Sequence, residues 1–228
     1  MKKSFCILTA VSVLFFCFVG CSKTDAYHQN SADSEISVTN NTENTSTSKN
    51  DNILLSVLYN EEPFYTEKGK TVYLKDYKPV YKNPEDIDYI QKDVVFVPRD
   101  YTFVDLDNDG NNELIIAEEP YADTYLILHK ENEKIYGYSL YNRWFQSLKQ
   151  DGSFISSGGA QINDYNTITF DKNTYNISTV AKFYFDSDNK NSDFEIDGKS
   201  DSLEDIKQFA EEWSKRPEAE WIEFKETK

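Results

Sequence analysis

The chain has 228 residues, with 24 Lys and Arg against 40 Asp and Glu, for a formal net charge of −16. So acidic a surface repels phosphate backbones and anionic headgroups, which excludes nucleic-acid binding and favours cations. The length suits one domain, and aromatics at 15% of the chain supply the bulk for a real core.

Lys2 and Lys3 precede a nearly unbroken apolar run from Ile7 to Gly20. That run is short for a transmembrane helix and fits the central region of an export signal. It ends in Phe18-Val19-Gly20-Cys21, which resembles the lipobox of bacterial lipoproteins. The resemblance implies a signal peptide over residues 1–20, with Cys21 becoming the first mature residue. Cys21 would carry the lipid (a diacylglycerol, with palmitate as the acyl chain) and hold the protein on the extracytoplasmic face of the cell membrane. Cys6 and Cys17 leave with the signal, so the mature fold has no disulfide despite an oxidising compartment.

More than half of the residues from Ser22 to Asn50 are Ser, Thr or Asn, too few of them apolar to offset ordering entropy. Residues 21–50 are therefore expected to be a lipidated flexible tether spanning roughly 30 Å root-mean-square. His28 falls within it. A single folded domain is expected over residues 51–228.

Asp51 or Asn52 can cap a short helix with Ile53, Leu54, Val57 and Leu58 on one face, stopped by Glu61-Glu62-Pro63. Strands are predicted at Val72–Leu74, Val94–Val97, Thr102–Leu106 and Leu114–Ala117. Tyr125–His129 and Lys134–Tyr141 form a hairpin pattern about Lys130–Glu133, and Thr167–Phe170 pairs with Tyr175–Phe185 about Asp171-Lys172-Asn173. Arg143–Lys149 reads as one or two helical turns, and Ser157-Gly158-Gly159-Ala160 as a break. Ser202 caps a second helix whose buried stripe is Leu203, Ile206, Phe209, Ala210 and Trp213. Pro217 marks its end, and Trp221–Phe224 alternates like a final edge strand. The order predicts an α+β fold: mainly antiparallel β-sheet, with a short N-terminal helix and a C-terminal helix packed on it.

The segment with chemistry in it is Asp105-Leu106-Asp107-Asn108-Asp109-Gly110-Asn111-Asn112-Glu113, between two predicted strands. Acidic residues at alternate positions of a tight loop can aim carboxylates at one centre, and calcium takes six to eight oxygens at about 2.3–2.6 Å. The expected ligands are the side chains of Asp105, Asp107 and Asp109, the carbonyl of Asn111, and the side chain of Glu113. Gly110 supplies the positive φ that the reversal needs. Magnesium fits less well because it demands strict octahedral geometry and keeps its waters. Without an ion, converging carboxylates repel by about 1 kcal/mol per close pair even at water-like dielectric. The twelfth loop position holds Ile116 rather than Glu, so the loop is not an EF-hand.

Strand, Asp-x-Asp-x-Asp-Gly-x-x-acid, strand is similar to the calcium loops of FG-GAP and VCBS-type repeats. The chain carries one copy, so the resemblance implies a calcium loop and not a propeller. A longer stretch resembles a family of secreted lipoproteins from low-GC Gram-positive bacteria. It is carried by Phe103-Val104-Asp105-Leu106-Asp107, Leu126-Ile127-Leu128, Tyr136-Gly137-Tyr138, Asp151-Gly152-Ser153-Phe154 and Ser157-Gly158-Gly159-Ala160. This likeness implies a location and no mechanism. A second acidic segment, Asp186–Asp193, has Lys190 where a third carboxylate is needed and no Gly, so it reads as a solvated loop.

Catalytic signatures are sparse. Cysteine chemistry ends once Cys21 is acylated, and His129, beside Lys130 at a strand end, reads as a surface or half-buried strand residue. No Gly-x-Ser-x-Gly elbow, usual zinc set or phosphate-cradling loop occurs. Tyr136, Tyr138, Tyr141, Trp144 and Phe145 crowd one segment; such residues can grip sugars, although strand packing explains them as well. The expectation is a lipid-anchored binding or envelope-associated module with structural calcium and no catalysis. Its partners would be the membrane and a cell-wall or host glycan or an envelope protein. The alternatives are a glycan-binding surface module on those aromatics and a carboxylate-dependent glycoside hydrolase.

Overall fold

The computed structural model describes residues 48–82, 89–91, 93–119, 124–159, 162–172, 174–184 and 192–226. The signal, Cys21, His28 and the tether as far as residue 47 lie outside them, as does most of the acidic segment 186–193. Contacts divide the chain into Met1–Asn44 and Thr45–Lys228, and every described residue belongs to the second unit.

Helix α1 (Lys49–Leu58) opens on a reciprocal capping box. Ser48 Oγ accepts the Asp51 N–H at 3.0 Å, and the Asp51 carboxylate accepts the Ser48 N–H at 3.1 Å. The cap is thus Ser48 and not Asp51 or Asn52, because Ser-x-x-Asp satisfies two free N–H groups where a lone Asp satisfies one. The helix takes up Lys49 and Asn50, which the sequence had assigned to the tether. Leu54, Val57 and Leu58 are buried and Ile53 packs at the margin of the same cluster.

The strands follow as β1 (Phe64–Thr66), β2 (Thr71–Val72), β3 (Val80–Lys82), β4 (Tyr89–Gln91), β5 (Pro98–Val104), β6 (Glu113–Glu118) and β7 (Thr124–Glu131). After them come β8 (Lys134–Tyr141), β9 (Phe154–Gly159), β10 (Ile162–Asp171), β11 (Thr174–Tyr184), β12 (Asp193–Ile196) and β13 (Lys199–Ser200). Helix α2 (Leu203–Ser214) and strand β14 (Ile222–Glu223) complete the order.

The expected single antiparallel sheet is in fact two. The larger runs β14-β5-β6-β7-β8-β1-β2, antiparallel except where Tyr65 of β1 meets Tyr136 of β8 in parallel. The smaller runs β13-β12-β11-β10-β9 and is antiparallel throughout, while β3 and β4 form a separate pair. The helices divide between the sheets. On one face of the larger sheet, Leu114, Ile116, Leu126 and Leu128 pack under Leu54, Val57 and Leu58 of α1. On the other face, Ile115, Ile127 and Leu140 meet Phe154 and Ile168 of the smaller sheet. Burial on both faces makes β6 and β7 read as unbroken apolar runs, a pattern that cannot reveal a second layer. Helix α2 packs on the smaller sheet, where Ile206 and Trp213 meet Tyr165 and Ala181.

Three local expectations fail, and a fourth is met only in its shorter form. Val94–Val97 joins no ladder among the described residues and is irregular: Phe96 alone turns inward, its N–H on the Tyr77 carbonyl at 2.8 Å, while Val94, Val95 and Val97 stay exposed and only the Val97 carbonyl is held, by the Glu119 N–H at 2.8 Å. β propensity without a partner does not make a strand. Leu74 leaves β2 for a 3-10 turn over Leu74–Asp76. Ser157, Gly158 and Gly159 continue β9 instead of breaking it, with the register shift between Ile162 and Asn163 absorbing the irregularity. Arg143–Lys149 reduces to one 3-10 turn, Asn142–Trp144. In α2 the Ser202–Asp205 capping box is as expected, although Leu203 lies at the exposed edge of the stripe. β14 pairs with β5 at the sheet margin, as the alternation of Trp221–Phe224 predicted.

Candidate metal centre

Val104, the last residue of β5, lies opposite Glu113, the first of β6, so Asp105–Asn112 must reverse the chain between adjacent strands. The reversal is held by its own carboxylates. Asp105 accepts the N–H groups of Asp109 (3.1 Å) and Gly110 (3.0 Å), Asp107 also accepts that of Asp109 (3.2 Å), and Asp109 accepts that of Asn111 (2.7 Å). Asn108 and Gly110 take the positive φ values of 59° and 89° that the turn requires. Asn tolerates that region, and Gly occupies it without strain.

One carboxylate oxygen from each of Asp105, Asp107 and Asp109 lies within 4.8 Å of the other two. Oxygens about 2.3–2.6 Å from one calcium ion can be no more than about 5.2 Å apart, so the spacing fits a hard cation. The electrostatics point the same way. Burial, and then the negative charge of Asp109, push the Asp107 carboxyl above its ordinary value, which a bound cation would reverse. Asn111 sits at the exposed end of the loop, with its N–H and side-chain amide both on Asp109 Oδ1.

Glu113, expected among the ligands, is engaged elsewhere. It is 1% exposed, its Oε2 accepts the Leu106 N–H at 2.8 Å, and its Oε1 lies 2.9 Å from His129 Nδ1. The close carboxylate group contains the three aspartates without it. The ladder explains this placement. Leu114 faces Leu128 across β6 and β7, so one step along Glu113 shares a face with His129. Burial raises the Glu113 carboxyl, against the opposing pull of His129 and the Leu106 N–H. For His129, burial disfavours the imidazolium, but the hydrogen bond and charge of Glu113, with Asp107 and Asp109 behind it, outweigh burial and hold its pKa above the ordinary value.

His129 is therefore a buried brace and not a surface residue: it is 6% exposed and stacks on Phe170 at 4.6 Å between centroids. The sequence signal for it was the in-register placement of an acid and a histidine next to the apolar runs of two neighbouring strands. Two further contacts tie the loop down. Asn50 Nδ2 of α1 donates to the Asn112 carbonyl at 3.1 Å, and Asn112 Nδ2 reaches Asp51 at 3.4 Å. From the other side, Gly152 packs its backbone on the loop's first residues. A Cβ there would fall 2.8 Å from the Asp105 carbonyl oxygen and 2.9 Å from Leu106 Cα.

The clustered aromatics do not make one platform. Tyr138 is fully buried, stacked on Phe170, with its hydroxyl donating to the Lys172 carbonyl. Tyr136 lies on the same strand face, beside Tyr65 at 5.8 Å, whereas Tyr141 falls on the opposite face near Trp144 at 6.0 Å. The two-residue period of β8 separates what adjacency in sequence had grouped. Comparison with protein-family models, curated proteins and solved structures finds no match.

Proposed function

We propose that the chain is a lipid-anchored, extracytoplasmic binding or envelope-associated module, without catalysis, whose acidic corner holds a structural calcium ion. What supports the calcium reading is the gathering of three carboxylate oxygens within 4.8 Å on a loop already held by its own N–H bonds. Asp105, Asp107 and Asp109 would hold the ion, with the Asn111 carbonyl and water completing the shell. Glu113 acts from behind, fixing Leu106 and His129 so that the loop's base does not move. The ion would offset the mutual repulsion of the carboxylates and pin β5 to β6.

Calcium at about tenfold its Kd would stabilise the fold by roughly 1.4 kcal/mol, or about 3–6 °C in Tm for a domain of this size. Thermal melts with calcium and with EDTA should differ by that amount in the natural protein and coincide in Asp107→Ala. Equal melts in all four conditions would remove the site. The anchor has its own test. Cys21→Ala should abolish incorporation of a labelled fatty acid into the chain, and label that persists in the variant would count against lipidation at that residue.

A further inference from the structure

A groove of about 750 Å³ lies where the end of α1 meets the irregular stretch before β5. Buried Leu58, Leu74 and Phe96 line it from the core side. Tyr59, Val95 and Val97 line it from outside and are 42%, 41% and 49% exposed. Two bonds fix the valines there: the Phe96 N–H on the Tyr77 carbonyl and the Glu119 N–H on the Val97 carbonyl, both at 2.8 Å. With Phe96 held inward, its two neighbours stay in water. Phe224 joins the lining, its ring 5.7 Å from that of Tyr59. Apolar side chains gathered in a groove with a polar rim mark an interaction site, and the volume is that of a ligand cleft.

The rim has one dominant sign. Glu61, Glu119 and Glu226 line the groove against a single base, Lys75. All three glutamates are exposed, and none takes part in an ion pair among the described residues. The Lys75 ammonium lies 5.9 Å from the Tyr73 ring centroid. The carbonyl end of α1 reaches the same groove through Leu58, Tyr59 and Asn60, and its last turn holds no basic residue to offset the negative pole.

We infer that this groove docks a cationic amphipathic segment of another protein. Apolar side chains of that segment lie against Tyr59, Val95 and Val97, and its Lys or Arg side chains meet Glu61, Glu119 and Glu226. The inference rests on reading the chain as a binding module and gives that reading a place and a class of partner. Charge selects the occupant. A second copy at net charge −16, an anionic lipid surface or an acidic glycan would bring like charge to three carboxylates. A neutral sugar would leave both the carboxylates and the helix end without a counter-charge.

The test uses the full chain in nanodiscs of zwitterionic phosphatidylcholine, titrated with three pools of short peptides. The first pool mixes Lys with Leu, Phe and Val; the second replaces Lys by Glu, and the third replaces the apolar residues by Ser. The first pool should bind at least about tenfold more tightly than the others, and should slow amide exchange at 58–61 and 94–98. Val97→Ser should weaken that binding about tenfold through lost apolar burial, and Glu119→Lys by a similar factor through charge reversal. Glu204→Lys, exposed on α2, makes the same change in net charge and should shift binding less than about twofold. Equal binding of the Lys and Glu pools, or natural affinity in both groove variants, overturns the assignment. Exchange slowed only at other residues overturns the groove and keeps the chain a binding module. No slowing with any pool overturns the groove and weighs against that reading as well.

Discussion

Gly152→Ala should lower the melting temperature by about 6–12 °C. At φ +79° an added Cβ is strained, and it would also meet three backbone atoms of Asp105 and Leu106 at 2.8–2.9 Å. Backbone cannot swing aside as a flexible side chain can, so the segment around Gly152 and the base of the acidic loop must part. Left-handed strain costs about 1–2 kcal/mol and the forced separation a similar amount, together about 3 kcal/mol at 2–4 °C each. Gly198→Ala is the matched control. Its φ is +71° with nothing within 4 Å of the new Cβ, so it should lose only the strain component. Because the displaced atoms belong to the first two residues of the loop, Gly152→Ala should also shrink the stabilisation that calcium gives. Equal losses in the two variants would show that the loop does not rest on Gly152.

The second large effect concerns Glu67 and pH. Its stem is half-exposed, but its carboxyl is sunk against β8: Oε1 accepts the Ser139 N–H, and Oε2 is buried without a partner in the structure. Burial pushes its pKa from 4.5 up to about 8, partly opposed by the Ser139 N–H. The folded state therefore keeps a proton that the unfolded chain loses above pH 4.5. Its contribution is complete below 4.5, is lost as pH rises through about 8, and is flat beyond. The slope between is about 1.4 kcal/mol per pH unit, on the order of 5 kcal/mol in total as an upper figure. Melts from pH 5 to 9 should show the natural protein losing stability with rising pH, and Glu67→Gln losing markedly less. The carboxyls of Asp107, Glu113 and Asp164 are also raised and add to the same trend in both proteins. Parallel profiles for the two proteins would mean that Glu67 ionises freely in the folded state.

What the residues disclosed in advance follows from how local each determinant is. The Asp-x-Asp-x-Asp-Gly reversal, the Ser202 cap and the hairpin of β7 and β8 are set within a dozen residues, and each stands at or near its expected place. The division into two sheets was hidden, because strands apolar on both faces do not say what covers each face. The roles of Glu113 and His129 depend on the register between β6 and β7, a relation between strands and not a property of either sequence. The aromatic cluster misled for the converse reason: Tyr138 and Tyr141 are close in sequence but lie on opposite faces of β8. The α1 boundary lies earlier than a cap at Asp51 or Asn52 predicts, because the Ser48–Asp51 pair caps better than either residue alone.

The parallel pairing of β1 with β8 joins segments some seventy residues apart, Tyr65 to Tyr136, whereas β5 to β8 pair with immediate neighbours. Closing so long a loop is entropically slower than zipping adjacent hairpins. The meander of β5–β8 should therefore nucleate folding, with α1, β1 and β2 docking after it and detaching before it. Glu67 directly follows β1, and only that docking buries its carboxyl. Alkaline conditions would then loosen this N-terminal flap as a local opening while the central hairpins stay intact.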